Sequence, residues 1–412
     1  MLILSKIELL APAGDFERLE AAVAYGADAV YISGTAFGLR AAAKNFDLAQ
    51  MARAVEYARG KGVRVYVTVN IFARNDDIDE MENYLRILGE IGPDALIISD
   101  PGVFDLAREV LPEMELHIST QANSTNYRSV LFWAGRGAKR VILARELSLD
   151  EIGGIAARIG GKIGLEAFVH GAMCMAYSGR CLLSAYMNDR DANKGACSNN
   201  CRFKYSLVEE KRPGEYFPLH EEDGASYILS SRDLCMIEHI PALIAAGLSS
   251  LKIEGRMKTP YYVATVTRAY RRAIDDFYAD PQLYEARKGE YLAEVLKAAN
   301  RDFCTGFYFG NPGAAGQVGG DAPFNRTYDF VGIVRAYDEA TGIATVEQRN
   351  RFAPGDVVEF FRACGESFWQ EVDEMRDEAG EIVEVARHAQ QILKIKTDRA
   401  VAALDILRMK AK

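Results

Sequence analysis

VRVYVTVNIFARNDDIDEMENYLRILGEIGPDALIISDPG, Val63 to Gly102, decides the fold. Its first seven residues are β-branched and aromatic at alternate positions, the signature of a strand. From Ile78 to Ile91 the apolar residues recur at helical spacing, and Gly92-Pro93 stops that run. Ala95 to Ser99 is a second short apolar run. Strand, amphipathic helix and strand in that order make a parallel βα unit.

The same alternation extends in both directions through the first 260 or so residues. Candidate strands are Glu8 to Ala11, Ala29 to Ile32, Val63 to Val69, Ala95 to Ser99, Leu116 to Ser119, Arg140 to Ala144, Gly164 to Val169 and Ser250 to Ile253. Between them lie amphipathic helices such as Phe16 to Tyr25, Leu48 to Arg59, Ile78 to Ile91 and Glu151 to Ile159. Gly26, Gly60 and Gly92 stand where a left-handed residue can close the last turn. A doubly wound open sheet would give the same alternation, but eight strands is the count for a closed (β/α)8 barrel of the TIM type. The reading is therefore α/β, with that barrel as the main domain.

The rhythm breaks once, between strands seven and eight, where Gly171 to Ser249 is far longer than a normal connection. A helix from Leu234 to Ala246 closes this insertion, SLKIEGR supplies the eighth strand, and Pro260 to Tyr278 forms a long helix. Asn311 to Pro323 is rich in Gly, Ala and Pro and reads as a boundary. Beyond it DFVGIVRAY, GIATVEQ, PGDVVEFF, ESFWQEV and QILKIKT are alternating runs separated by turn signals, the pattern of a small all-β barrel. The predicted organisation is a barrel domain over 1–318 carrying the insertion 171–249, then a β domain over 319–412.

Composition bounds the function. The chain has 412 residues, 49% apolar and 26% charged, which is ordinary for a globular protein. No run is long enough to cross a bilayer, and the opening MLILSKIELLAPAG lacks the basic flank and full apolar core of a secretory signal. A cytoplasmic location is expected. The net charge of −9 opposes generic binding to nucleic acid, so an RNA role needs a local basic face.

Five of the seven cysteines, Cys174, Cys181, Cys197, Cys201 and Cys235, fall within or at the end of the insertion. Thiolates at such spacing suit tetrahedral zinc or an iron–sulfur cluster, and the two-residue separation of zinc ribbons is absent. Cys304 and Cys364 stand alone and read as small buried hydrophobes.

Reactive groups in such a barrel sit at the carboxyl ends of the strands. Those positions hold Asn70, Asp100, Gln121, Asn123, Arg145, Glu146, His170, Glu254 and Arg256. His170, four residues before Cys174, is a candidate proton shuttle or donor to a metal site. Arg145, Arg180 and Arg256 could fork onto carboxylates or phosphates. Glu166 points toward the same mouth or anchors the insertion. Arg268, Arg271 and Arg272 share a helix face, preceded by Lys252, Arg256 and Lys258, which makes a candidate phosphate stripe. Arg349, Arg351 and Arg362 lie near Phe352, Phe360 and Phe361, a mixture that could grip RNA.

EAFVHGAMCMAYSGRCLLS, Glu166 to Ser184, resembles the signature of the collagenase-like peptidase family U32. ELLAPAG at Glu8 to Gly14, SDPG at Ser99 to Gly102 and LKIEGRMK at Leu251 to Lys258 resemble its other landmarks. RPGEY at Arg212 to Tyr216 and the C-terminal β domain are similar to the members that hydroxylate tRNA. That resemblance implies oxygen-independent formation of 5-hydroxyuridine at the wobble position of the tRNA anticodon, with prephenate or a related carboxylate as donor. It also implies a 4Fe-4S cluster on Cys174, Cys181 and Cys197, with Cys201 and Cys235 competing for the fourth place; zinc is the alternative metal. His170, Arg145, Glu254, Arg256 and Asp100 are then the catalytic candidates, and Asn70, Gln121, Asn123 and Arg180 the substrate-binding ones. The family name suggests a peptidase, but no HExxH helix, G-x-S-x-G elbow or Cys–His nucleophilic pair is present. A scaffold with a structural zinc site would explain the cysteines and leave the polar rim idle. Relatives acting on ribosomal RNA or a quinone precursor keep those substrates open as well.

Overall fold

The structure, a computed structural model, describes residues 6–39, 44–173, 183–190, 192, 195–200, 206–208, 216–218, 231–312, 316 and 327–411, without side chains at 185, 186, 206–208 and 216–218. Seven parallel strands follow in order: β1 (Glu8–Pro12), β2 (Ala29–Ser33), β3 (Arg64–Val69), β4 (Ala95–Ile98), β5 (Leu116–Ile118), β6 (Arg140–Ile142) and β7 (Gly164–Gly171). The eighth barrel strand, Ser250–Ile253, pairs in parallel with both β7 and β1 and closes the barrel. The strands are buried almost throughout, as expected where helices cover one face and the barrel core the other.

Helices α1 (Phe16–Ala24), α2 (Leu48–Arg59), α3 (Asn75–Ile91), α4 (Pro101–Val110), α5 (Tyr127–Gly135) and α6 (Leu149–Ile159) form the outer layer. Their starts are set by side chains. Asp47 and Ser148 each accept a backbone N–H and are answered by Gln50 and Glu151 in capping boxes. Gly26 and Gly92 are left-handed as the sequence predicts, but Gly60 is not. It is right-handed at φ −61°, and the left-handed residue is Gly62 at φ +72°.

Within the insertion, α7 (Leu183–Asn188) and a two-stranded pairing of β8 (Ser206–Val208) with β9 (Tyr216–Pro218) are described. The expected helix from Leu234 needs correction. Asp233–Cys235 is a strand, β10, antiparallel to the end of β7, with Leu234 opposite Gly171 and Cys235 opposite His170. Only Ile240–Ala245, α8, is α-helical, after one 3-10 turn. Pairing with the overrunning end of β7 outweighs the helical spacing here. After the barrel strand Ser250–Ile253, which is β11, come α9 (Pro260–Ala279), α10 (Pro281–Leu296) and β12 (Phe303–Cys304), which pairs with β10.

The C-terminal region is a seven-stranded antiparallel sheet of half-barrel form, in the order β16, β15, β19, β13, β14, β18, β17. These are β13 (Tyr328–Asp338), β14 (Ile343–Gln348), β15 (Val357–Phe361), β16 (Phe368–Glu371), β17 (Met375–Arg376), β18 (Ile392–Lys396) and β19 (Ile406–Lys410). It packs on α1, α9 and α10. Arg408 of β19 is fully buried, bonded twice to Glu359 at 3.0 Å and paired with Glu294 of α10 at 2.5 Å. Arg335 and Arg349 pair with Glu17 of α1.

That packing corrects two expectations about RNA. Phe352, Phe360 and Phe361 are core residues, at most 1% exposed. Arg349 is spent on Glu17 and Glu347, and Arg362 lies against Asp405. The helix stripe is likewise used internally. Arg268 donates to Ser367 and the Gly365 carbonyl, Arg271 pairs with Asp28 and Asp275, and only Arg272 of the three is exposed. No helix among the described residues is long and apolar enough to cross a membrane.

Candidate active site

A barrel of eight strands has an interior just wide enough for side chains to fill. Here the filling is charged. Glu8, the first residue of β1, meets the guanidiniums of Arg64 and Arg140, the Tyr66 hydroxyl at 2.7 Å and the Ser250 hydroxyl at 2.9 Å. One layer higher, Glu166 of β7 lies 3.0 Å from Arg140 Nη1 and 3.0 Å from Lys252 Nζ. Glu8, Arg140, Glu166 and Lys252 are all under 10% exposed. Burial alone would raise the Glu166 carboxyl, but Lys252 and Arg140 outweigh it and hold it at about 2. Burial lowers the Lys252 ammonium from its ordinary value, with Glu166 opposing.

Above this pair the strand ends surround a cavity of about 60 Å³. One water needs roughly 10–15 Å³, so the space holds a small molecule or the head of a larger one. Lys252 is among the residues lining it, with Nζ 4.4 Å from the centre of the Tyr31 ring and 5.5 Å from that of Phe168. Arg145 leans over Phe168 at 4.3 Å and donates to the Ala172 carbonyl at 3.0 Å, while its Nε has no hydrogen-bond partner. Arg256, 5% exposed, reaches the Thr68 hydroxyl at 3.5 Å. Glu254, Asn70 and Gln121 complete the polar wall, and the buried Gln121 Oε1 is likewise without a partner. Two guanidiniums and an ammonium on one small cavity fit an anionic ligand.

Of the predicted rim, Asn70, Gln121, Arg145, Glu254 and Arg256 are thus brought together. Asp100 is placed elsewhere. It caps α4, accepting from Gly102 N at 2.8 Å and Val103 N at 3.2 Å. Asn123 is the left-handed residue ending the 3-10 turn Thr120–Ala122, at φ +54°, and does not line the cavity. His170 is also off the cavity, 1% exposed and enclosed by Tyr262, Tyr270 and Phe303. Neither of its ring nitrogens has a hydrogen-bond partner, and burial pushes its imidazolium down to about 3, so the ring is neutral.

Lys252 is the residue that sequence reasoning misplaced. It was grouped with Arg256 and Lys258 as part of a surface stripe, whereas it is 4% exposed inside the barrel. The signal is the period of two, which sets Lys252 with Glu254 and Arg256, and Glu166 with Phe168; a register shift after Lys252 breaks that period before His170, which lies off the cavity.

Cys174, Cys181, Cys201 and Arg180 lie outside the described residues. Cys197 is half-buried, with Ser184 Oγ at 3.9 Å and Asn199 Oδ1 at 3.8 Å as its neighbours. Cys235 is buried on β10 opposite His170, and burial pushes its thiol up to about 12. Among the described residues no three His, Cys, Asp or Glu side chains group closely enough to hold a metal ion. As a donor set, the five cysteines suit a soft thiophilic centre. Of the five, Cys235 lies beside the end of β7, the strand that supplies Phe168 to the cavity.

Residues 14–317 match the model of peptidase family U32, and 326–408 match the peptidase family U32 C-terminal domain. The chain is 45% identical to a tRNA hydroxylation protein P1 of Bacillus subtilis, covering 98% of this chain and 95% of that one. It is 36% identical to a tRNA hydroxylation protein P of Escherichia coli, covering 92% and 91%. A Porphyromonas gingivalis protein named collagenase is 33% identical, covering 93% of each chain.

Proposed function

The chain belongs to peptidase family U32, and from that premise we propose that it hydroxylates tRNA, converting the wobble uridine of the anticodon to 5-hydroxyuridine. In this reading a small carboxylate, prephenate or a relative, serves as co-substrate. Cys174, Cys181 and Cys197, with either Cys201 or Cys235, would hold a 4Fe-4S cluster. When bound, the cluster supplies one-electron chemistry or a Lewis-acidic iron.

The observation that carries the reading is the cationic cavity at the carboxyl ends of the barrel strands. Arg145 and Arg256 on its wall suit the carboxylate of the donor, and Asn70, Gln121 and Glu254 offer hydrogen bonds to a polar partner. An anticodon base is unpaired and can be presented to such a mouth without opening a duplex. The near full-length likeness to proteins named for tRNA hydroxylation supports tRNA over other polar substrates.

Proteolysis is the weaker reading. Among the described residues the cavity is lined by Ser119 and Thr120 but by no histidine or cysteine to pair with them. Nucleoside analysis of tRNA from cells lacking the gene tests the proposal. Loss of 5-hydroxyuridine, restored by the gene, is expected; an unchanged level overturns it.

A further inference from the structure

We propose that Lys252 is a catalytic residue that captures the small carboxylate co-substrate covalently, as a Schiff base through a ketone or aldehyde group, so that the ligand is an oxo acid. This rests on the reading of the cavity as the co-substrate site and names the chemistry within it.

The argument starts from position. Lys252 lines the cavity and is 96% removed from solvent, with Nζ 4.4 Å from the centre of the Tyr31 ring and 5.5 Å from that of Phe168. A buried lysine amine beside a ligand cavity is the usual setting for carbonyl addition, because only the neutral amine is a nucleophile. The counter-ion arrangement permits the neutral form. Glu166 is bound at 3.0 Å by Arg140 as well as by Lys252, so it keeps a cationic partner when the lysine loses its proton. Desolvation of the ammonium acts in the same direction. A lysine serving only as the mate of Glu166 would need neither the second cation nor exposure to the cavity.

The walls specify the rest of the ligand. Arg145 and Arg256 line the same small space, so a carbonyl over Lys252 lies within one small molecule of two guanidiniums. That is the pattern of an acid bearing an oxo group on a neighbouring carbon. In the step itself the amine lone pair attacks the carbonyl carbon. The two amine hydrogens then leave with the carbonyl oxygen as water, and C=N replaces C=O with no change of oxidation state. Protonation of the imine gives an iminium, and Glu166 stands 3.0 Å from the same nitrogen to balance its charge.

Borohydride trapping is the experiment. The intact, anaerobically purified protein is incubated with pyruvate, phenylpyruvate or prephenate, reduced with sodium borohydride, digested and mapped by mass spectrometry. The expected result is a mass gain on Lys252 equal to the oxo acid less one oxygen atom, absent with succinate and absent in Lys252→Arg. Lys252→Arg keeps the cation beside Glu166, so its folding is checked by circular dichroism; it should lose tRNA hydroxylation in complemented cells by at least tenfold. No adduct with any of the three acids, or adducts only on other lysines, overturns the proposal while leaving tRNA hydroxylation standing. An adduct on Lys252 in a protein whose deletion leaves tRNA unchanged would instead sink the tRNA assignment and keep the oxo-acid site.

Discussion

Nη1 of Arg140 lies 3.0 Å from Oε2 of Glu166, on adjacent strands and closed off from solvent. The same nitrogen contacts Glu8, so one guanidinium holds two buried carboxylates and ties the lower barrel layer to the cavity floor. Breaking a buried pair from one side strands the other charge and costs ~3–5 kcal/mol. Glu166→Gln leaves Arg140 and Lys252 short of a carboxylate, and a loss of that size is expected in urea denaturation. A loss under about 1 kcal/mol would show that the network is not buried as described.

His117 gives the barrel interior a pH dependence. Its ring is fully buried against Tyr66, with Glu115 2.8 Å away, and burial lowers its imidazolium despite that partner. The unfolded chain therefore takes up the proton first as pH falls. This contribution is fully present above about pH 6.5 and declines below it, by at most ~1.4 kcal/mol per pH unit. Glu166 behaves like any depressed carboxyl, its contribution present above about pH 4.5 and lost toward pH 2. Stability curves from pH 8 to 5 should fall for the wild type and flatten for His117→Gln. Parallel slopes would remove His117 as the cause.

Much of this architecture is legible in the sequence because strand and helix periods differ. The eight barrel strands lie within a residue or two of their predicted spans, and closure follows from counting them. What was hidden depends on three-dimensional neighbours. Leu234 and Cys235 look like the start of a helix until β7 overruns the barrel and offers them an edge. Asp100 reads as catalytic by its strand-end position, although Asp-Pro-Gly is also a helix start with proline at the first turn. Lys252 was legible only by asking which face of an eighth strand it occupies. The aromatics of the C-terminal sheet were ambiguous because alternation does not say which face is covered; α1, α9 and α10 decide it.

Arg408 couples the C-terminal sheet to helix α10. It is fully buried and serves Glu359 in its own sheet and Glu294 on α10. Arg408→Met keeps the bulk but leaves Glu294 and Glu359 with Lys297, 3.0 and 3.6 Å away, as the one cation they share, so a loss of up to ~3–5 kcal/mol is expected. Calorimetry should show a single transition in the wild type and two in the variant, with the C-terminal sheet melting first. A single unshifted transition would mean that the apolar packing around Phe361 suffices.

Gly14 and Arg256 meet through the backbone. A Cβ on Gly14 would stand 2.0 Å from the Arg256 carbonyl oxygen, closer than any real contact. The loop after β1 thus fixes where the chain following β11 runs, and with it the Arg256 side chain in the cavity. Overpacking of this kind costs ~1–3 kcal/mol. Gly14→Ala should lower the melting temperature and weaken trapping of oxo acids at Lys252 more than tenfold, because the cavity wall shifts. Unchanged trapping would show that the loop yields elsewhere.

The cysteine segment makes the remaining prediction. A 4Fe-4S cluster takes four thiolates, and three of the proposed ligands leave one place for Cys201 or Cys235. Cys235 is fixed on β10 beside His170, whose two ring nitrogens are without hydrogen-bond partners. Anaerobic purification should give a brown protein containing iron and sulfide. Cys174→Ser, Cys181→Ser and Cys197→Ser should each abolish the colour. Of Cys201→Ser and Cys235→Ser, one should abolish it and the other retain it, since a fifth thiol is not needed. Stoichiometric zinc without iron in anaerobic preparations would replace the redox cofactor with a structural one.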